Sequence, residues 1–163
     1  QTVMLALKGV PAFYFHSLTA TPNDHDGVEA TGRARSINRR KWNIEDLENE
    51  LHGSGDTARV FSELRRRIKI RTRHTAFHPD AHQRVVELDN GLFGFARVSA
   101  DSSEIIACVS NVSNTPKTLE LNNHFPELDI PEPLTDLLSG ARTLGADKTI
   151  PLAPYQTVWL TQG

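Results

Sequence analysis

The chain has 163 residues, 38% of them hydrophobic, enough to bury the core of one ordinary domain or of about one and a half small ones. Its 18 Lys and Arg against 20 Asp and Glu leave a formal charge of -2, which excludes an overall basic field able to recruit nucleic acid or anionic lipid. No apolar run approaches the ~20 residues needed to cross a bilayer, and a single cysteine, Cys108, excludes an internal disulfide framework and fits a reducing, cytoplasmic compartment.

In chain order, Gln1 to Gly9 reads as the last turns of a helix closed by Gly9, without the charged leader or cleavage site of a secretory signal, so the chain reads as starting in mid-domain. Val10 to Phe15 is an almost continuous apolar run with Pro11 near its start, the pattern of a strand buried on both faces. A long polar loop follows. It contains His16, Asn23, Asp24, His25 and Asp26, then the turn Thr31-Gly32, then Arg33, Arg35, Asn38, Arg39 and Arg40. Loops of this length are usually functional or disordered, and the mixed charge and specific turn residues here favour function.

Trp42 to Leu51 reads as a short helix with Asn43 as its N-cap and acidic residues in its first turn, ended by His52-Gly53-Ser54-Gly55. Asp56 opens a stronger helix through about Arg73, with Val60, Phe61, Leu64 and Ile68 on one apolar stripe. Its other face carries Arg59, Arg65, Arg66, Arg67, Lys69 and Arg71, with no interleaved aromatics of the kind that stack on nucleic-acid bases, so it reads as a solvated helix face.

From His82 the pattern changes to short strands: Arg84–Leu88, Leu92–Ser99, Glu104–Val112, Thr118–Leu121, Leu134–Leu137 and Tyr155–Thr161. Asp89-Asn90-Gly91 is a hairpin turn signal, and six such strands argue for a modest antiparallel β-sandwich. Cys108 lies in the apolar run Ile105–Val109 and reads as a core thiol, and Trp159, in an alternating terminal strand, reads as facing the core. The division between the two patterns falls near Phe77-His78-Pro79.

A strand followed by a long loop and helices forms a βα unit, and in α/β barrels such loops line the catalytic face. Arginines beside Asn38 suit a polar pocket, because the planar guanidinium fixes a carboxylate or donates to sugar hydroxyls. His74, His78 and His82 lie four apart, but Pro79 breaks the helix that would align them on a metal. Asn23-Asp24-His25-Asp26-Gly27 lacks the later bidentate Glu of a calcium loop. Neither a metal nor a cofactor is expected, and no spacing identifies a nucleophile and its base.

Taken together, Gly9-Val10-Pro11-Ala12-Phe13-Tyr14, Asn23-Asp24 and Thr31-Gly32-Arg33-Ala34-Arg35-Ser36-Ile37-Asn38-Arg39 resemble the end of the catalytic barrel in the sucrose phosphorylase group of the α-amylase superfamily, glycoside hydrolase family thirteen, and most nearly its glucosylglycerate phosphorylase branch. The resemblance covers essentially the whole chain. It implies an α/β part, residues 1–78, holding the last strand and closing helices of a (β/α)8 barrel, and an all-β part, residues 79–163, forming a C-terminal antiparallel sandwich. It further implies that the catalytic carboxylates lie in upstream segments, that the substrates of the parent are a glucoside and phosphate, and that Arg35 binds the 4-hydroxyl of the glucosyl unit together with an aspartate of an early barrel loop. Asn23, Asp24 and His16 match positions near the pocket mouth. Residues 1 to 42 are expected to be poorly anchored without the rest of the barrel. The alternative is a self-standing carbohydrate-binding or protein-interaction β-domain, which exposed aromatic platforms would favour.

Overall fold

In the computed structural model, which describes residues 1–128, 133–143 and 149–162, Asp89-Asn90-Gly91 forms the turn that its composition dictates. Gly91 sits at φ +92°, and the amide of Leu92 closes the turn on the carbonyl of Asp89 at 3.0 Å. The turn joins β1 (His82–Val86) to β2 (Leu92–Val98) in antiparallel register, with Val85 opposite Phe95. β3 (Ile105–Asn111), β5 (Leu134–Asp136), β6 (Arg142–Thr143) and β8 (Thr157–Gln162) complete a six-stranded sheet in the order β1-β2-β3-β8-β5-β6. β4 (Lys117–Glu120) and β7 (Thr149–Leu152) pair as a separate ribbon. The short β6 and β7 were not among the expected strands.

Because side chains alternate along a strand, the register divides the large sheet into two faces. Ala96, Ala107, Val109, Val158 and Leu160 point to one side, where Leu119, Ile150 and Leu152 of the ribbon, Leu121 of α6 (Leu121–His124) and Phe125 just after it close over them in one hydrophobic core. This is the expected β-sandwich. Phe95, Arg97, Ile106, Cys108 and Trp159 point to the other side and are also buried. That second layer is built by α1 (Thr2–Ala6), through Leu5 and Ala6, and by a 3₁₀ turn at Thr75–Phe77. The Phe77 and Trp159 rings lie 4.8 Å apart. Burial pushes the Cys108 thiol well above its ordinary range, so it stays protonated and acts as a packing group.

Two arginines tie this second layer together. Arg97, fully buried, donates from Nη1 to the carbonyl of Ala6 (3.0 Å), from Nη2 to that of His78 (2.8 Å) and from Nε to that of His82 (3.3 Å). Arg71 donates to the carbonyls of Leu5, Leu7 (3.3 Å) and Gly9 (2.6 Å). Both guanidiniums flank the Phe77 ring. Burial lowers the pKa of each, and the nearby Arg71 charge lowers that of Arg97 further. Arg71 therefore departs from the solvated helix face expected for it: at the end of α5 (Asp56–Arg71) it turns inward and supplies donors to the three backbone carbonyls of Leu5, Leu7 and Gly9. Residues 2–9 are correspondingly well anchored, against the expectation for the start of the chain.

The expected strand over Val10–Phe15 does not form. Residues 10–14 belong to no helix or strand, Phe15 opens α2 (Phe15–Leu18), and Val10 is 81% exposed. An extended run becomes a strand only with a neighbour to complete its ladder, and none of the described strands pairs with it. Compactness divides the chain into residues 1–11 with 67–163, and residues 12–66. The second unit contains α2, α3 (His25–Thr31), a 3₁₀ turn at Ala34–Asn38, α4 (Ile44–His52) and the first turns of α5. Asn43 caps α4 as its position in the sequence implies, accepting from the amide of Glu45 at 2.8 Å. No described helix is long and apolar enough to cross a membrane.

Candidate functional site

The polar loop between α2 and α4 is organised by short-range hydrogen bonds rather than by a core. Asp24 stands at its entrance. Its Oδ1 accepts from the amide of Gly27 at 2.9 Å and caps α3, while its own amide donates to the carbonyl of Ile37 at 2.7 Å. A Cβ on Gly27 would stand 2.2 Å from the Asp24 carboxylate, so this approach requires glycine. α3 ends at Gly32 in the left-handed region, φ +63°, whose amide closes on the carbonyl of Val28. The Thr31 hydroxyl then serves three partners: it donates to the carbonyl of Gly27 (2.6 Å), receives the amide of Arg33 (3.3 Å) and meets the hydroxyl of Ser36 (2.8 Å).

These bonds fix the 3₁₀ turn that carries Arg35. The far end of that turn is fixed by two further donors. Tyr14 Oη and His16 Nδ1 both donate to the carbonyl of Asn38, at 2.6 and 3.0 Å, with their rings edge-on at 5.1 Å. Since a carbonyl can only accept, the His16 proton on this side resides on Nδ1.

Of the residues expected at the site, Arg35 lies exposed on the turn, with no hydrogen bond or ion pair to any described residue. Asn23 is exposed beside the Asp24 cap. Asp24 is half-buried and spends one carboxylate oxygen on the cap, and His16 spends Nδ1 on Asn38, while its Nε2 makes no hydrogen bond with any described residue. The turn therefore joins Asp24 and His16 through the two ends of one short segment, Ile37 and Asn38. Tyr14 read as a strand residue, and Asn38, expected beside the arginines of a polar pocket, acts here through its main-chain carbonyl. The Thr31–Ser36 pair was hidden in a loop that composition alone does not resolve. Among the described residues no group of three or more His, Cys, Asp or Glu is placed to hold a metal.

The chain is 30% identical over 161 residues to a glucosylglycerate phosphorylase of Escherichia coli (strain K12), an alignment covering 98% of this chain and 27% of that protein. The glucosylglycerate phosphorylase of Spirochaeta thermophila is 33% identical over 168 residues, covering 99% of this chain and 29% of its own length. The chain is a homologue of the glucosylglycerate phosphorylases. It spans little more than a quarter of the length of these curated relatives, and their C-terminal portion fits it. No family model matches the sequence. Among solved structures, AmyP in complex with maltose superposes with a TM-score of 0.70 at 13% identity, covering 98% of this chain and 33% of AmyP. The MutB E254Q mutant in complex with sucrose superposes with a TM-score of 0.65 at 18% identity, covering 98% of this chain and 37% of MutB. These likenesses show the fold alone.

Proposed function

We propose that the chain is the C-terminal part of a retaining α-glucoside phosphorylase that transfers glucose reversibly between an α-glucoside and phosphate. In this reading residues 1–78 complete the catalytic barrel and residues 79–163 form the C-terminal β-domain. The nucleophile and acid/base carboxylates that a double displacement requires lie in other segments of the parent. The names of the relatives favour glucosylglycerate as the glucoside and glycerate as the acceptor. The parent acts in the cytoplasm, where phosphate is abundant and Cys108 stays reduced.

The observation that carries this reading is the pinned turn that presents Arg35 outward and unpaired among the described residues. An arginine on a rigid turn suits a role completed from outside: its planar fork takes an aspartate of the parent's early barrel loop and the 4-hydroxyl of the glucosyl unit together. Asn23, Asp24 and His16 Nε2 then stand around the pocket mouth.

The test is made in the full-length parent. Arg35→Ala removes charge-assisted hydrogen bonds and strands a buried carboxylate, a loss of ~3–5 kcal/mol. Two or more orders of magnitude in kcat/KM should disappear, at roughly 1.4 kcal/mol per tenfold. Arg35→Lys should recover little, and Arg59→Ala, on an exposed stretch of α5, should be nearly silent. Wild-type kcat/KM in a folded Arg35→Ala enzyme would remove Arg35 from the site. The 163-residue chain alone should release no glucose 1-phosphate from glucosylglycerate or sucrose.

A further inference from the structure

The hairpin turn Asp89-Asn90-Gly91 carries chemistry that its folding role does not use. It holds the chain's one Asn-Gly pair. The main-chain nitrogen after an asparagine is a nucleophile for the side-chain carbonyl before it, which makes asparagine thermolabile where that nitrogen is free. Glycine leaves the approach open because it has no Cβ. The fold requires glycine here for a different reason: Gly91 sits at φ +92°, and a Cβ on it would stand 2.9 Å from Lys117 Cε and 3.1 Å from Ser113 Cβ. The residue that shapes the turn therefore also opens it to the reaction.

Whether such a nitrogen reacts depends on what holds it. Asp26-Gly27 is the chain's one Asp-Gly pair and can form the same imide, but the Gly27 amide donates to Asp24 Oδ1 at 2.9 Å in the first turn of α3. The amides that follow Asn23, Asn38 and Asn111 are likewise engaged, with the carbonyls of Ile37 (2.7 Å), Ser36 (2.9 Å) and Gly91 (2.8 Å). The Gly91 amide makes no hydrogen bond with any described residue, and neither does the exposed Asn90 side chain. The bond that closes the turn, from the Leu92 amide to the Asp89 carbonyl, uses neither group.

We infer that Asn90 is a self-modification site, converted with time through a cyclic imide into aspartate and isoaspartate, and that the isoaspartate form loosens β1. The Gly91 nitrogen attacks Asn90 Cγ, the new N–Cγ bond replaces the Cγ–Nδ2 bond, and ammonia leaves with the proton of the amide. Water then opens the ring. Attack at Cγ restores the ordinary main chain with aspartate at position 90, whereas attack at the main-chain carbonyl routes the chain through Cβ and Cγ as isoaspartate. Either product adds a negative charge to the formal -2 of the chain. Isoaspartate also inserts one more main-chain atom into a tight turn. β1 is the strand that this affects, because it lies at the sheet edge and pairs with β2 alone.

In the test, the folded 163-residue chain and the same chain unfolded in urea are held in warm neutral buffer and sampled over weeks. Peptide mass spectrometry reads the change from amide to acid at Asn90, and an isoaspartate-specific carboxyl methyltransferase labels isoaspartate at either glycine pair. Folding should slow the reaction at Asn90 by less than about tenfold, since a nitrogen that first had to be freed would slow it by about tenfold for each 1.4 kcal/mol of opening. At Asp26 the slowing should be clearly larger. The aged chain, separated by its added charge, should exchange the amides of β1 faster than the fresh chain. Asn90→Asp, which supplies the charge without the additional atom, should not. Folding that slows Asn90 as much as Asp26, or product appearing first at another asparagine, overturns the inference. Exchange of β1 equal in the aged and fresh chains, or equally fast in Asn90→Asp, overturns the loosening. The phosphorylase reading stands or falls separately on Arg35→Ala in the parent.

Discussion

Replacing Arg97 by Met asks which of two opposed effects governs the second layer of the β-domain. The substitution removes a fully buried charge that no carboxylate neutralises among the described residues, and such a charge costs several kcal/mol to bury. It also strands three acceptors. The carbonyl of Ala6 is bonded in a fully buried position and those of His78 and His82 in partly buried ones. A buried acceptor left unmade costs ~1–3 kcal/mol and each partly buried bond is worth ~0.5–1.5 kcal/mol. Because the native guanidinium already has good partners for Nε, Nη1 and Nη2, much of its burial cost is compensated, and the loss of acceptors should win by ~3 kcal/mol. At a urea slope of ~2 kcal/mol per M, the unfolding midpoint should fall by about 1.5 M. The assay is urea unfolding followed by Trp159 fluorescence in a Trp42→Phe background, so that only the β-domain reports. Arg97→Lys should lie close to Arg97→Met, since one ammonium cannot reproduce the three-way fork. An unchanged or raised midpoint in Arg97→Met would show that charge burial dominates and would refute the account of the layer.

Two further outcomes can be stated briefly. Burial by itself would raise the pKa of Glu104, but donation from the Ala76 amide (2.8 Å), His74 and the Thr75 hydroxyl (3.0 Å) holds it below the ordinary carboxylate range. Its contribution is therefore complete above the unfolded value of about 4.3 and is lost as pH falls through the lower folded value, so Glu104→Gln should flatten the acid limb of midpoint against pH; parallel limbs in the two proteins would count against this. In the full-length parent, Tyr14→Phe deletes one donor to Asn38 without touching substrate, and kcat/KM should fall by up to about tenfold, with no additional loss once Arg35 is Ala; a fully additive double variant would show that Tyr14 does not act through Arg35.

Much of the architecture is legible in local chemistry. Asn43 caps its helix, Asp89-Asn90-Gly91 turns the hairpin, and the alternation around Trp159 places that ring inside. What local chemistry misreads are residues whose role is set from far along the chain. Arg71 looks like a surface charge because the carbonyls that it serves lie 62 to 66 residues away, and nothing local marks Arg97, whose acceptors lie 15 to 91 residues away. Val10–Phe15 has the composition of a buried strand, but composition cannot supply the neighbouring ladder. β7 was obscured by Pro151, which is tolerated because its ribbon has only two strands and leaves the missing donor at an edge. At the candidate site, Arg35, Asn23, Asp24 and His16 could be named from motif, whereas the hydrogen bonds that hold their turn pass through main-chain atoms that no motif records.

The bond from Arg97 to the carbonyl of Ala6 also sets an order of events during synthesis. Its partners are 91 residues apart. At about 5–20 residues per second, the ribosome needs roughly 5 to 20 s to go from one to the other. Throughout that interval Leu5 and Ala6 lack the sheet that later covers them, and the arginine that will bind their helix does not yet exist. The second layer is therefore assembled from its two ends at different times, and the N-terminal segment docks only after β2 has left the exit tunnel. For that period α1 is open to any chaperone that recognises a short apolar helix.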